Sequence, residues 1–176
     1  MHPSRVRPPA AIAALAAAYN DPHNAPLLGH TEDVDEDDVI AHYADVAEAG
    51  GRNFLVLADD QLVADGDLRK VGRGAAEFAF MVASPGAQGK GLGTRIATMI
   101  HAFGFHRLAL DRIYASIIPG NAASRRVFEK LGYRIDDSPA AREYADDPGD
   151  VTMVIDRAAF ERSHAQAMAE IEIAVR

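Results

Sequence analysis

The chain of 176 residues contains no cysteine. That absence excludes a disulfide-stapled scaffold, an iron–sulfur centre, a thiolate zinc site and a cysteine nucleophile. Long apolar runs are missing as well: no stretch reaches the roughly 18 residues that a membrane-crossing helix needs, so no membrane partner is expected. Internal repeats and low-complexity segments are absent too. What remains is a globular composition, 48% hydrophobic and 25% charged. It is too apolar for disorder and long enough for one domain with its own core. The Ala-rich stretch 9–19 follows Arg5 and Arg7 and mimics a secretory leader, but Asn20, Asp21 and Pro22 stand where a small-residue cleavage site belongs. A cytoplasmic protein is expected.

A net charge of −8 suits a phosphate-backbone binder poorly, so no nucleic-acid partner is expected. The charge is unevenly spread. Residues 69–134 hold eleven Lys/Arg against three Asp/Glu, whereas residues 31–50 hold eight acids and no Lys or Arg. Two solvated faces of opposite sign would explain this. So would a basic half that holds an anion and an acidic half that meets a cation.

Periodicity gives helices over about 11–19 and 35–49, the second with Val39, Ile40, Tyr43, Val46 and Ala47 at three-to-four spacing. Residues 54–58 and 62–69 read as a hairpin, and 75–83 as a third strand with Phe78, Phe80 and Val82 on one face. The order then changes to a helix over 92–105, a strand over 113–118 and a helix over 122–131. Asn121 would cap that helix and Gly132 would end it. Strands follow at 133–135 and 151–155, with a polar loop between them, and a helix from 157 to about 174 closes the chain. Hairpin strands followed by strand–helix–strand–helix–strand imply an α+β fold with a mixed central sheet, antiparallel at one end and with a parallel crossover in the middle.

The most informative stretch runs from Val82 through Gln88, Gly89, Lys90, Gly91, Leu92 and Gly93 to Thr94. A strand ends, the chain turns through alternate glycines, and a helix begins. Glycines let backbone approach a ligand, and a helix start supplies unpaired N–H groups and partial positive charge. Together they suit a phosphate or pyrophosphate; a plain strand-to-helix turn is the simpler alternative. A Walker A loop fails, because Leu92 follows Gly91 where Lys and Ser/Thr are required. A dinucleotide-binding turn fits poorly, because the third glycine comes one residue early.

Gln88-x-x-Gly91-x-Gly93 resembles the Q/R-x-x-G-x-G/A signature of the GNAT superfamily of N-acetyltransferases. The later block Asn121-Ala-Ala-Ser124-Arg-Arg-Val-Phe128-Glu-Lys-Leu131-Gly132-Tyr133 resembles the superfamily's second motif. Its form is most similar to the branch that includes the ribosomal-protein N-terminal acetyltransferases. The resemblance covers about residues 75–135, roughly a third of the chain; in the first half no family motif is recognised.

The resemblance implies a single-domain GNAT-like fold, with acceptor-side helices at about 10–50 and an acetyl-CoA-binding core at about 75–135. Two parallel strands of the sheet would splay to admit the pantetheine arm. Acetyl-CoA would be the co-substrate, with its pyrophosphate on the amides of Gly89, Lys90, Gly91, Leu92, Gly93 and Thr94 and with Gln88 opening the turn. Backbone groups of Met81 and Val82 would pair with the arm, and an N–H near Val82 would polarise the thioester carbonyl. Asn121 would contact the arm, cap its helix, or do both. A primary amine, on a small molecule or a protein N-terminus, would attack the thioester directly in a ternary complex. In many relatives a tyrosine of the second block protonates the leaving thiolate; Phe128 stands there, so Ser124 is the candidate acid. Glu77, opposite in facing to Phe78 and Phe80, is the candidate base. Phe128 also leaves open an acyl-CoA-binding regulatory module without turnover. Tyr133 reads as a core aromatic, and His101 and His106 as surface residues of the long helix. His23, His30 and His42 lie in the acceptor-side half, and no metal is expected. The acidic segment, Asp35, Asp37 and Asp38 above all, would form a rim that attracts cationic amines. A homodimer is compatible with the sequence.

Overall fold

The computed structural model describes residues 9–29, 32–59, 61–83 and 91–171. A six-stranded sheet in the order β1-β2-β3-β4-β6-β5 forms the centre. Its first three strands, β1 (Arg52–Ala58), β2 (Gln61–Gly72) and β3 (Ala75–Val82), are an antiparallel meander. β3 leads through α4 (Leu92–Arg107) into β4 (Arg112–Ile117), which lies parallel to it. α5 (Ala122–Leu131) follows, and β5 (Arg134–Ile135) and β6 (Val151–Asp156) complete the sheet. This is the mixed α+β architecture expected.

Strand alternation divides the side chains between two layers. On one face Phe54, Ala64, Leu68 and Phe78 pack with Ile96, Ile100 and Phe105 of α4 and Phe128 of α5 into the main core. On the other face Met81 meets a smaller core from α1 (Pro9–Tyr19) and α3 (Glu36–Glu48), built on Leu15, Val39 and Tyr43. α3 begins with a capping box: Asp35 accepts from the Asp38 amide at 2.9 Å, and Asp38 accepts from the Asp35 amide at 2.9 Å.

Several elements differ from the sequence reading. The loop after α1 contains a short helix, α2 (Ala25–Leu28), and the polar loop after β5 contains another, α6 (Pro139–Arg142). The closing helix is two pieces, α7 (Arg157–Ser163) and α8 (Ala165–Glu170). It breaks at His164, which leaves helical geometry and sets its imidazole against the Leu131 carbonyl at 3.0 Å.

His101 is not a surface residue: it is fully buried within the aromatic core. Its Nδ1 lies 2.6 Å from the Ala97 carbonyl and its Nε2 lies 2.5 Å from the Tyr133 hydroxyl. A carbonyl only accepts, so Nδ1 carries the proton and Tyr133 donates to Nε2. Burial pushes the imidazole pKa down, to about 3. Tyr133 is the core aromatic expected; His106 is exposed beside Glu161 at 3.8 Å.

Candidate functional site

β3 and β4 pair only through Ala75–Arg112, Ala76–Ile113 and Glu77–Tyr114. Beyond that point both strands continue, to Val82 and Ile117, without pairing to each other. The parallel strands therefore splay, and the gap opens into a cavity of about 960 Å³. α2 is tied to both sides of it. Asn24 donates to the Ala83 carbonyl beyond β3 at 3.3 Å, and Asn121 at the start of α5 donates to the Leu27 carbonyl at 3.0 Å.

One end of the cavity is the start of α4. Gly91 adopts φ +78°, the left-handed conformation that glycine takes without strain, and among the described residues no side chain caps this helix. Gly91, Gly93 and Thr94 line the cavity. Gly93 allows a close approach: a Cβ there would lie 3.2 Å from the Phe80 ring and 3.5 Å from Val127 of α5. Arg126 and Lys130 of α5, exposed and four residues apart, also border the cavity, so this end has uncapped amides and cationic side chains. Leu92 packs towards the main core instead. Gln88, Gly89 and Lys90 lie outside the described residues.

The middle of the cavity is bordered by Met81 and Val82 on β3 and by Asn121 and Ser124 on α5. The Asn121 Oδ1 accepts from the Ser124 amide at 3.0 Å, so the N-cap geometry is present. Phe128, buried against Phe78, Phe80 and Tyr133, lies on the same wall.

Glu77 is not brought to the cavity. Its side chain is 1% exposed and accepts two bonds from Arg69, at 3.1 and 2.8 Å. Lys70 stands 3.0 Å away. Neighbouring residues of one strand normally point to opposite faces; here a bulge after Arg69, with Lys70 at φ +50°, turns both cations to one carboxylate. Both also pair with Asp146, fixing the loop before β6. Burial pushes the Glu77 pKa up, against the opposing pull of Arg69. The carboxylate is thus the hub of an ion network and does not line the cavity, where the expected base would have to meet the acceptor.

The cavity lining also includes residues that sequence reasoning missed. Asp65 and Asp67 of β2, only 3% and 4% exposed, stand side by side on the face covered by α1 and α3, and both line the cavity. Tyr19 donates to Asp65 Oδ2 at 2.5 Å and Tyr43 at 3.4 Å. His42 of α3 places Nε2 2.7 Å from Asp67 Oδ2. Among the described residues, neither Asp65 Oδ1 nor Asp67 Oδ1 has a hydrogen-bond partner. Burial, with the Asp67 charge second, raises the Asp65 pKa; the bond to Asp67 raises that of His42. The sequence signal was the alternation Ala64-Asp65-Gly66-Asp67-Leu68, which puts two acids on one strand face. The expected rim is only partly brought here. Asp38 borders the cavity, yet Asp35 and Asp38 are engaged in the capping box.

Among the described residues no group of three His, Asp or Glu side chains could hold a metal, and no helix is long and apolar enough to cross a membrane. The sequence matches the acetyltransferase (GNAT) domain family over residues 5–134, and the chain belongs to that family. It is 36% identical over 82 residues to the probable N-acetyltransferase YjcK of Bacillus subtilis, covering 46% of this chain and 45% of that protein. It is 34% identical over 88 residues to the spermidine N(1)-acetyltransferase of Escherichia coli K12, covering 48% of this chain and 46% of that one. The chain thus spans less than half the length of the curated relatives it matches. The fold is similar to aminoglycoside acetyltransferase AAC(6')-Ib in complex with coenzyme A (TM-score 0.73, 20% identity, 91% of this chain and 97% of that one). It is also similar to Vibrio cholerae spermidine N-acetyltransferase in complex with CoA and spermine (TM-score 0.71, 18% identity, 89% and 95%).

Proposed function

We propose that the protein transfers an acetyl group from acetyl-CoA to a primary amine. One observation carries this reading: the splay of β3 and β4 opens a cavity that runs from the uncapped start of α4 to a buried acidic wall. The amides of Leu92, Gly93 and Thr94 and the side chains of Arg126 and Lys130 suit the phosphates. The arm lies along Met81 and Val82, with Asn121 on the far side, and the thioester carbonyl takes its N–H donor near Val82. Residues 88–90 join the cradle on the motif resemblance alone.

The chemistry balances within these residues. The amine nitrogen bonds to the thioester carbonyl carbon, the carbon–sulfur bond breaks, and Ser124 gives the departing thiolate a proton that solvent restores. The ammonium must first lose a proton, and His42 takes it in place of Glu77. Its Nε2–H is held by Asp67, which leaves Nδ1 as the basic nitrogen, and the bond to Asp67 raises its pKa. The Asn121-x-x-Ser124 block supports the ribosomal-protein N-terminal acetyltransferase branch, whereas the acidic wall supports a cationic small amine; we favour the latter. Nothing in the relatives supports a binding module without turnover. Free thiol released from acetyl-CoA, measured across a panel of primary amines, tests the reading. Amine-dependent release supports it, and its absence with every amine refutes it.

A further inference from the structure

Residues 143–150 contain no helix or strand, so their course is set by side-chain partners rather than by a hydrogen-bond ladder. Those partners converge where β3 and β4 part. Tyr144 stacks on Tyr114 of β4, with ring centroids 4.3 Å and planes 10° apart, and Tyr114 belongs to the last pair between the two strands, Glu77–Tyr114. Two residues further along β4, the Ser116 hydroxyl accepts from the Asp146 amide at 2.9 Å and donates to the Asp150 carboxylate at 2.6 Å. From the β2 side the fastener is Lys70. Its ammonium donates to the Tyr144 carbonyl, the Ala145 carbonyl and Asp146 Oδ1, each at 3.0 Å, and stands 3.0 Å from Glu77 Oε2. Four acceptors thus share its three N–H donors.

Asp146, Asp147, Gly149 and Asp150 border the cavity, whereas Lys70 does not. This wall lies on the sheet face away from α4 and α5: Tyr114 and Ser116 alternate along β4 with Ile113, Ala115 and Ile117, which face the main core. Its three carboxylates would repel phosphates, so it borders the amine rather than the phosphate end of acetyl-CoA. We propose that Lys70 is a positioning residue for the acceptor: by gripping residues 144–146 it fixes the wall against which the attacking amine is aligned. The inference rests on the acetyl-transfer reading and adds to the same site a residue that touches neither substrate. Attack on the thioester needs the nitrogen held in line with the carbonyl carbon, and a displacement of about 1 Å can cost roughly 10²-fold in rate. Arg69 also holds Asp146, but it borders the cavity itself, so its loss would mix contact with positioning. Lys70 separates the two.

The test uses Lys70→Met, which keeps an apolar stem and removes the ammonium at a side chain that is 34% exposed, while Arg69 still pairs with Glu77. Hydrogen exchange followed by mass spectrometry reads the wall directly. In the wild-type protein residues 144–150 exchange at least tenfold slower than free chain; in Lys70→Met they exchange at least tenfold faster than in wild type, with α4 unchanged. Kinetics read the consequence, at saturating acetyl-CoA, with butylamine, benzylamine, ethanolamine and glycinamide tried as acceptors and the best of them carried forward. In Lys70→Met kcat/KM for that amine falls at least tenfold, while the acetyl-CoA Kd from calorimetry stays within twofold. Unchanged kcat/KM in folded Lys70→Met overturns the role, and so does an acetyl-CoA affinity that falls in step with it, which marks general loosening. Free-chain exchange of residues 144–150 in the wild-type protein overturns it without any variant, so poor folding of Lys70→Met does not shield it. Absence of transfer to all four amines by the wild-type protein overturns the acetyl-transfer reading, and this role with it, whatever the exchange shows.

Discussion

Glu77→Gln distinguishes an ion-network hub from a catalytic base. The substitution keeps the shape of a side chain that is 1% exposed and removes its charge. Two bonds from Arg69, at 3.1 and 2.8 Å, and the Lys70 ammonium at 3.0 Å then face a neutral amide, one half of which is itself a donor. Breaking a buried pair by neutralising one partner typically costs about 3–5 kcal/mol. Arg69 and Lys70 are 25% and 34% exposed and keep Asp146, so solvent screening brings the cost below that range, to about 2–3 kcal/mol. For a chain of this length that is roughly 5–10 °C in Tm. Urea and thermal unfolding measure the loss, and kcat well below the transition shows what remains in folded protein. Lowered stability is expected, with kcat reduced less than tenfold. Stability within about 0.5 kcal/mol of wild type, with kcat lowered 10²–10⁴-fold, would show that Glu77 is the base after all.

Three further outcomes follow from named groups. His101 is neutral in the folded chain with its pKa down at about 3, whereas the unfolded chain binds a proton below about 6.5. Stability contributed by the neutral imidazole is therefore complete above pH 6.5 and falls by roughly 1.4 kcal/mol per unit towards pH 3; urea midpoints should show this slope, and His101→Phe should flatten it. Ser124→Ala should lower kcat about 10²–10⁴-fold with acetyl-CoA affinity kept, and wild-type turnover would assign the thiolate's proton to another donor. Because Asp67 raises the His42 pKa, the acidic limb of the kcat/KM profile should lie above the free-imidazole value. A profile in His42→Asn that keeps the wild-type limb would remove His42 from the mechanism.

α5 was legible to the residue because both of its stops are local: Asn121 caps it, and Gly132 ends it at φ +94°. The splay of β3 and β4 and the start of α4 came through the motif, whereas Gln88, Gly89 and Lys90 lie outside the described residues. What stayed hidden depends on distant partners. His101 looked like a polar helix residue, since its second partner, Tyr133, is 32 positions away. Strand alternation put Glu77 on the correct face, but the bulge that brings Arg69 and Lys70 to it has no sequence marker here. Asp65 and Asp67 are acids on a strand, ordinarily solvated; only the packing of α1 and α3 over that face makes them an interior wall. The break at His164 carries neither proline nor glycine, and its bond to Leu131 supplies the reason.

In the proposed reading the start of α4 holds the phosphates of acetyl-CoA. Gly91→Asp places a carboxylate there. Among the described residues no atom lies within 4 Å of the added Cβ, and φ +78° costs a non-glycine residue about 1–2 kcal/mol, so the variant folds. Isothermal titration calorimetry with acetyl-CoA is the direct measurement. The wild-type protein should bind, and folded Gly91→Asp should bind at least a hundredfold more weakly; equal affinity in the two proteins would place the phosphates elsewhere.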